Sequence, residues 1–183
     1  TGTYETAEKA YNGDVKARVE VSSWLLGSLT GLKPKLKRRS GVLLRNPCGC
    51  FTSGTIVKTS TGDKNIEDVV VGDLVWAYDD STKTTALKQV LQLHKYTREA
   101  IYKIYVNGEI IETTSDHPFY VDGEYVKAKD LISNQELRLQ GGTFVVIDSI
   151  IKVDGERQVY NFTVDDYHTY FVGKDGVLVH NTG

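Results

Sequence analysis

The sequence has no methionine and only two cysteines among its 183 residues. Each shortage narrows the reading. With Thr at position 1, the missing Met reads as a segment of a longer protein. Cys48 and Cys50, one glycine apart, cannot build the disulfide framework of a small secreted scaffold. No apolar run approaches the roughly 18 residues of a membrane span, so membrane insertion is not expected. Histidine is scarce as well, at positions 94, 117, 168 and 180 only. What is present is ordinary: 40% hydrophobic residues, 25% charged residues and a net charge of −2. That balance excludes disorder, and the length suits one domain with a real core plus an appendage.

The charge is unevenly placed. Residues 1–49 carry nine Lys/Arg against four Asp/Glu, whereas residues 50–183 carry thirteen against twenty. The basic excess gathers in Lys33, Lys35, Lys37, Arg38, Arg39 and Arg45. Without interleaved aromatic residues the run offers nucleic acid no stacking platform, and with Pro34 and Gly41 it reads as a solvated linker. No nucleic-acid partner is expected.

Pattern changes at the same place. Around Ala17 to Leu29, Val21, Trp24, Leu25, Leu26 and Leu29 share one helical face, which predicts a short helix weakened by Gly27 and Gly31. From Thr55 onward the signals are β. Asn107-Gly108 lies between Ile104-Tyr105-Val106 and Glu109-Ile110-Ile111, and Asp122-Gly123 lies between Phe119-Tyr120-Val121 and Glu124-Tyr125-Val126. Both pairs tolerate the positive φ of a tight hairpin. A longer turn, 173–176, separates Tyr170-Phe171-Val172 from Val177-Leu178-Val179. Further β-branched and aromatic runs occupy 144–151 and 158–164. Many short strands between turns predict an all-β domain behind a short, partly helical N-terminal segment.

Chemistry-bearing residues collect at the two ends of this β region. Cys50 is its first residue, before Phe51 and Gly54-Thr55, and His180-Asn181 stands at its last strand, followed by Thr182-Gly183. Between them lie Thr114-Ser115-Asp116-His117, Val159-Tyr160-Asn161-Phe162-Thr163-Val164 and His168. Pro118 biases His117 toward extended backbone, which lets Thr114 and His117 converge from a tight loop. His94 reads as structural, Asp165-Asp166 as a solvated turn and Cys48 as an inert neighbour.

In combination these blocks resemble a Hint (Hedgehog/intein) domain, and more closely a bacterial intein-like or pretoxin-HINT domain. The matching features are Cys50-Phe51 with Gly54-Thr55, then Ile66-Glu67-Asp68-Val69-Val70-Val71-Gly72-Asp73, then Thr114-x-x-His117-Pro118, then 159–161 through His168 to 177–181. Their order, and their placement at both ends of the domain, make the combination specific. The resemblance divides the chain into a flanking or carrier segment at 1–49, a self-processing domain at 50–181 and the start of a downstream segment at 182–183. It implies a compact Hint fold and intramolecular, single-turnover autoprocessing that needs no cofactor.

In that scheme Cys50 attacks the carbonyl of Gly49, which has no side chain to obstruct the tetrahedral intermediate. His117 protonates the departing nitrogen. Thr114 positions His117 or donates to the oxyanion. The amide nitrogen of Asn181 then attacks its own carbonyl, with His168 and His180 assisting, and breaks the bond to Thr182. At Asn161 many splicing inteins instead have Asp, credited with coordinating the two steps; an amide can neither act as a base nor carry negative charge. Thr182, a weak nucleophile at neutral pH, is the acceptor that full splicing requires. Autocleavage is therefore the expectation, with splicing through Thr182 as the alternative.

The chain's own flanking segments are the implied substrate. A downstream toxin domain with its immunity protein, in a secreted or surface-delivered bacterial protein, is the implied context. From other classes, two alternatives stand: a zinc site using Cys48, Cys50, His117 and His168, and a noncatalytic β interaction module. The Cys-x-Cys spacing is short for zinc.

Overall fold

The computed structural model describes residues 49–181. The expected helix near 17–29, the basic run, Cys48 and Thr182 lie outside the described residues.

Twelve strands form one continuous antiparallel system that curls back on itself. The strands in chain order are β1 (Phe51–Thr52), β2 (Ile56–Thr59), β3 (Gly62–Asn65), β4 (Leu74–Asp79), β5 (Thr84–Val106) and β6 (Glu109–Thr113), then β7 (Pro118–Val121), β8 (Glu124–Lys127), β9 (Glu136–Arg138), β10 (Phe144–Val164), β11 (Thr169–Val172) and β12 (Val177–His180). Two single 3-10 turns, Ile66–Asp68 and Ala128–Asp130, complete the secondary structure. Among the described residues no helix is long and apolar enough to cross a membrane.

The hairpins follow from their turn residues. Val106 pairs with Glu109 across Asn107 (φ +45°) and Gly108 (φ +73°). Val121 pairs with Glu124 across Asp122 (φ +49°) and Gly123 (φ +94°). Two consecutive left-handed residues match the twist of the flanking strands, and Asn or Asp followed by Gly reaches that conformation at least cost. Val172 and Val177 close the third hairpin, β11–β12.

Ten of the twelve strands are short, as the all-β reading expects, and two are long. The runs at 144–151 and 158–164 are one strand of 21 residues, β10, paired along most of its length with the 23-residue β5. A register shift between Asp154 and Arg157, with Gly155 at φ +130°, carries the ribbon through the polar stretch that reads as a break in sequence. Outward-facing residues of the ribbon include Leu91, Leu93 and Ile151, each about half exposed.

The core is where strand ends meet. Phe51, Phe119, Phe162 and Tyr170 are buried together, with Val57, Val75, Ile104, Ile111, Leu137 and Val179 packed around them. β1 is only two residues long, yet it lies between two partners: Phe51 pairs with Tyr160 of β10 and with Thr113 of β6. β12 is likewise flanked, by β11 and by β7. The first and last strands of the domain are thus interior strands, and their outer ends, Gly49-Cys50 and Asn181, are buried.

Much of the Ile66–Asp73 block serves this placement. Glu67 Oε2 accepts the Gly54 N–H at 2.7 Å, which ties the turn after β1. Asp73 Oδ2 accepts the Val70 N–H at 2.9 Å and pairs with Lys64 at 2.7 Å. The chain reverses there through Gly72 at φ +97°.

Candidate active site

The N-terminal junction is built by β1 and the loop between β6 and β7. The Cys50 N–H, the nitrogen of the Gly49–Cys50 bond, donates to Thr114 Oγ1 at 2.9 Å. The Cys50 carbonyl accepts from the Thr114 N–H and from Thr113 Oγ1, both at 2.9 Å. The Gly49 carbonyl accepts from Asn161 Nδ2 at 2.6 Å. Thr114 therefore sits on the nitrogen of the Gly49–Cys50 bond, and the side-chain donor at the Gly49 carbonyl is Asn161. Thr114 also shapes the loop, because its carbonyl accepts the His117 N–H at 3.3 Å.

His117 occupies the centre of the domain with no solvent exposure. Its ring lies 4.1 Å from that of Phe51, 5.9 Å from Phe119 and 6.1 Å from Tyr170, centroid to centroid. Neither ring nitrogen has an aligned hydrogen-bond partner. Burial drives its pKa from the ordinary 6.5 down to about 3; the Gly49 backbone opposes the shift, and the nearby His180 adds to it. The resting imidazole is consequently neutral across the physiological range. Gly49 is held against it so closely that an added Cβ would lie 2.4 Å from His117 Cα and Nδ1. No side chain fits there.

Asn161 links this junction to the other one. Its Oδ1 accepts from Tyr170 Oη at 2.9 Å and from the Phe162 N–H at 2.8 Å, which fixes the amide orientation so that Nδ2 points at Gly49. The same Nδ2 lies 3.5 Å from Asn181 Oδ1, a weak contact beside a strong one. Asn181 is buried; its Nδ2 donates to the Phe162 carbonyl and its N–H to the His168 carbonyl. The Asn181 side-chain amide is thus held by an acceptor, the arrangement that draws electron density onto its nitrogen.

The two remaining histidines differ. His180, at the end of β12, is partly buried with Nδ1 unpartnered, and its ring packs 4.9 Å from Tyr125. Burial lowers its pKa, the neighbouring His168 lowers it further, and Asp80 opposes both. His168 lies at the surface with φ +53°, so the protein grips it by its carbonyl while its ring faces solvent. His94, on the ribbon, bonds Thr163 Oγ1 at 2.9 Å and stacks on Tyr96. Asp165 and Asp166 form an exposed turn, with Asp166 paired to Lys88 at 2.9 Å. Among the described residues no three His, Cys, Asp or Glu side chains gather as metal ligands.

Sequence reasoning missed Tyr170, Thr113 and the Phe162 carbonyl. Only the doubled Thr113-Thr114 carries any local hint of the first junction.

An all-β shell whose first and last strands are interior, with a cysteine opening one and an asparagine closing the other, is the architecture of the Hint class of intein-like domains. Comparison with known proteins agrees. The pretoxin HINT domain family model matches residues 56–182. The solution structure of a bacterial intein-like domain from Clostridium thermocellum superposes with a TM-score of 0.70 at 38% identity, over 72% of this chain and 98% of that one. The gp41-1 intein superposes with a TM-score of 0.61 at 25% identity, over 73% of this chain and 98% of that one. A DnaB intein from Synechocystis shares the fold, with a TM-score of 0.65 at 17% identity over 74% of this chain and 99% of that one. No curated protein matches. The chain belongs to the pretoxin HINT family within the Hint superfamily, whose general property is the capacity for self-processing.

Proposed function

We propose that this domain cuts its own chain at Gly49–Cys50 and at Asn181–Thr182. The observation that carries the reading is the Asn161 amide, which donates to the Gly49 carbonyl at 2.6 Å and reaches Asn181 at 3.5 Å.

At the first junction neutral His117 takes the Cys50 thiol proton, and Sγ adds to the Gly49 carbonyl carbon. Negative charge develops on the oxygen already bonded to Asn161 Nδ2. A donor aimed at developing charge in a dry site is among the larger catalytic effects. The low pKa of buried His117 makes its imidazolium a strong acid, so the proton passes to the Cys50 nitrogen and the C–N bond breaks. Thr114 Oγ1, already on that nitrogen, aligns it. The result is a Gly49–Sγ thioester and a free Cys50 amine. Asn161 thus acts here as a neutral donor, a task that needs no negative charge.

At the second junction Asn181 Nδ2 attacks its own carbonyl carbon. The N–C bond of the succinimide forms, the bond to Thr182 breaks, and the proton from Nδ2 reaches the Thr182 amine through His180. His168 serves through its backbone, by holding Asn181 in place. Nothing in this scheme requires a cofactor, and each chain acts once on its own flanks. By family, the downstream segment is a toxin in a secreted bacterial protein, with an immunity protein as its counterpart.

Intact-mass analysis of the full chain tests the proposal. Hydroxylamine or thiol should release residues 1–49, and slow loss of Thr182-Gly183 should leave a product at the succinimide mass. A chain in which Cys50→Ala and Asn181→Ala change neither mass would end the proposal; a joined product of 1–49 with 182–183 would show splicing instead.

A further inference from the structure

Two polar groups that the chemistry above does not use collect beside His180, whose Nδ1 joins them in one cluster. Tyr125 Oη in β8, Asp80 Oδ1 in the turn after β4, and His180 Nδ1 itself are all buried without a hydrogen bond of good geometry, and the phenol lies within interaction range of the Asp80 carboxylate. Such groups are rare because each costs desolvation without return, so three in one cluster call for a reason. The fold brings them together deliberately. Thr169, which faces His180 across β11–β12, accepts the Tyr78 N–H at 2.7 Å and donates to the Tyr78 carbonyl at 2.8 Å through its single hydroxyl. That double tie fixes the end of β4 two residues before Asp80. Tyr125 is fixed by edge-on packing to Tyr120 at 5.1 Å and to the His180 ring at 4.9 Å. Its phenol is kept protonated by burial and by the Asp80 charge.

From this juxtaposition we propose that Asp80, together with Tyr125, is a positioning residue for His180, holding its ring in the orientation that receives the proton from Asn181 Nδ2. The carboxylate stabilises the imidazolium that exists only while the proton is in transit. The phenol, the one hydroxyl donor of the cluster, bridges carboxylate and ring once the site tightens around the reacting carbonyl. The groups facing His180 are His168 from the β10–β11 turn, His117 before β7, Tyr125 from β8 and Asp80 from the β4–β5 turn. The Arg138 guanidinium lies over the Tyr78 ring, 4.6 Å from its centroid. Asp80 is the only negative charge among those facing groups, so its removal acts on His180 alone in sign. The inference rests on the self-processing reading and extends it to a second sphere at the C-terminal junction.

Asp80→Asn, Asp80→Glu, Tyr125→Phe and Asn181→Ala in the full chain test it. Loss of Thr182-Gly183 is followed by intact mass from pH 5 to 9, and hydroxylamine cleavage at Gly49–Cys50 is followed in the same samples. Asp80→Asn should slow the C-terminal cut about tenfold and move its acid inflection to lower pH, because the imidazolium loses its counter-charge. Asp80→Glu should restore the inflection, and Tyr125→Phe should slow the same cut less. Hydroxylamine cleavage should stay at the unsubstituted rate in all three. An unchanged C-terminal rate and inflection in Asp80→Asn, or equal slowing at both junctions, would overturn the proposal while leaving self-processing intact. Survival of the C-terminal cut in Asn181→Ala would overturn both.

Discussion

The two junctions of this domain are close in space and differ in kind. Around Gly49–Cys50 everything is enclosed: the glycine, the cysteine, Thr114 and a histidine without solvent exposure. Around Asn181 the side-chain amide is buried, yet the neighbouring histidines stand progressively nearer to water, His180 partly covered and His168 exposed. The first site is enclosed, and burial keeps its resting histidine neutral. The second is more open, and burial lowers the pKa of its partly covered His180.

The sharpest division of the two sites comes from the nucleophiles. Cys50→Ala should abolish thiol- or hydroxylamine-induced cleavage, a loss of at least about 1,000-fold, while loss of Thr182-Gly183 continues within a few-fold, as read by mass spectrometry. Equal loss at both junctions would show that they are one site.

Asn161 tests how much the junctions share. Asn161→Ala removes the donor to the Gly49 carbonyl, and a drop of about 100- to 1,000-fold in hydroxylamine cleavage is expected. It also leaves Tyr170 Oη and the Phe162 N–H without their acceptor, so thermal stability should fall, by about 1–3 kcal/mol for each buried orphan. Gly49→Ala strikes only one side: the added carbon meets His117 at 2.4 Å. About a 100-fold slowing of the first cut is expected, with little change at the second.

Acidification should separate the junctions more gently. The folded pKa of His117 lies below its unfolded value of 6.5, so the unfolded chain binds the extra proton as pH falls. The stability this group contributes is complete above about pH 6.5 and declines as pH drops from there toward about 3. His180 shifts in the same direction and steepens the upper part of the decline. Denaturant titrations from pH 7.5 to 4 should show that slope, and His117→Gln should flatten it. The smallest effect belongs to the ribbon. The Lys152–Asp154 pair, at 3.1 Å and largely exposed, should cost less than about 0.5 kcal/mol and neither rate on Lys152→Ala.

The two regions were also unequally legible in sequence. Asn107-Gly108 and Asp122-Gly123 announce their hairpins because few residue pairs accept two left-handed conformations in succession. Cys50, His117 and Asn181 stand out because their blocks resemble a known family. The length of β10 was hidden by Asp154-Gly155-Glu156-Arg157, a polar stretch that signals a turn when read alone and is carried through by pairing with β5 across a register shift. Thr114 was expected to act on His117 or on the oxyanion, and its place on the Cys50 nitrogen depends on register between strands 64 residues apart. Asp80 and Tyr125 carry no motif at all. Their meaning arises from a tie between Thr169 and Tyr78 that no local pattern contains.

The Asn161 bridge has a consequence for any chain that carries such a domain. Because one side-chain amide touches both Gly49 and Asn181, the polypeptide enters and leaves the domain at nearly the same point. To a host protein the whole domain is then equivalent to a very short loop between two neighbouring residues. Loop closure rises only slowly with the length enclosed, and here the ends are already closed by the domain itself. Insertion at an exposed turn then asks little movement of the host's own backbone.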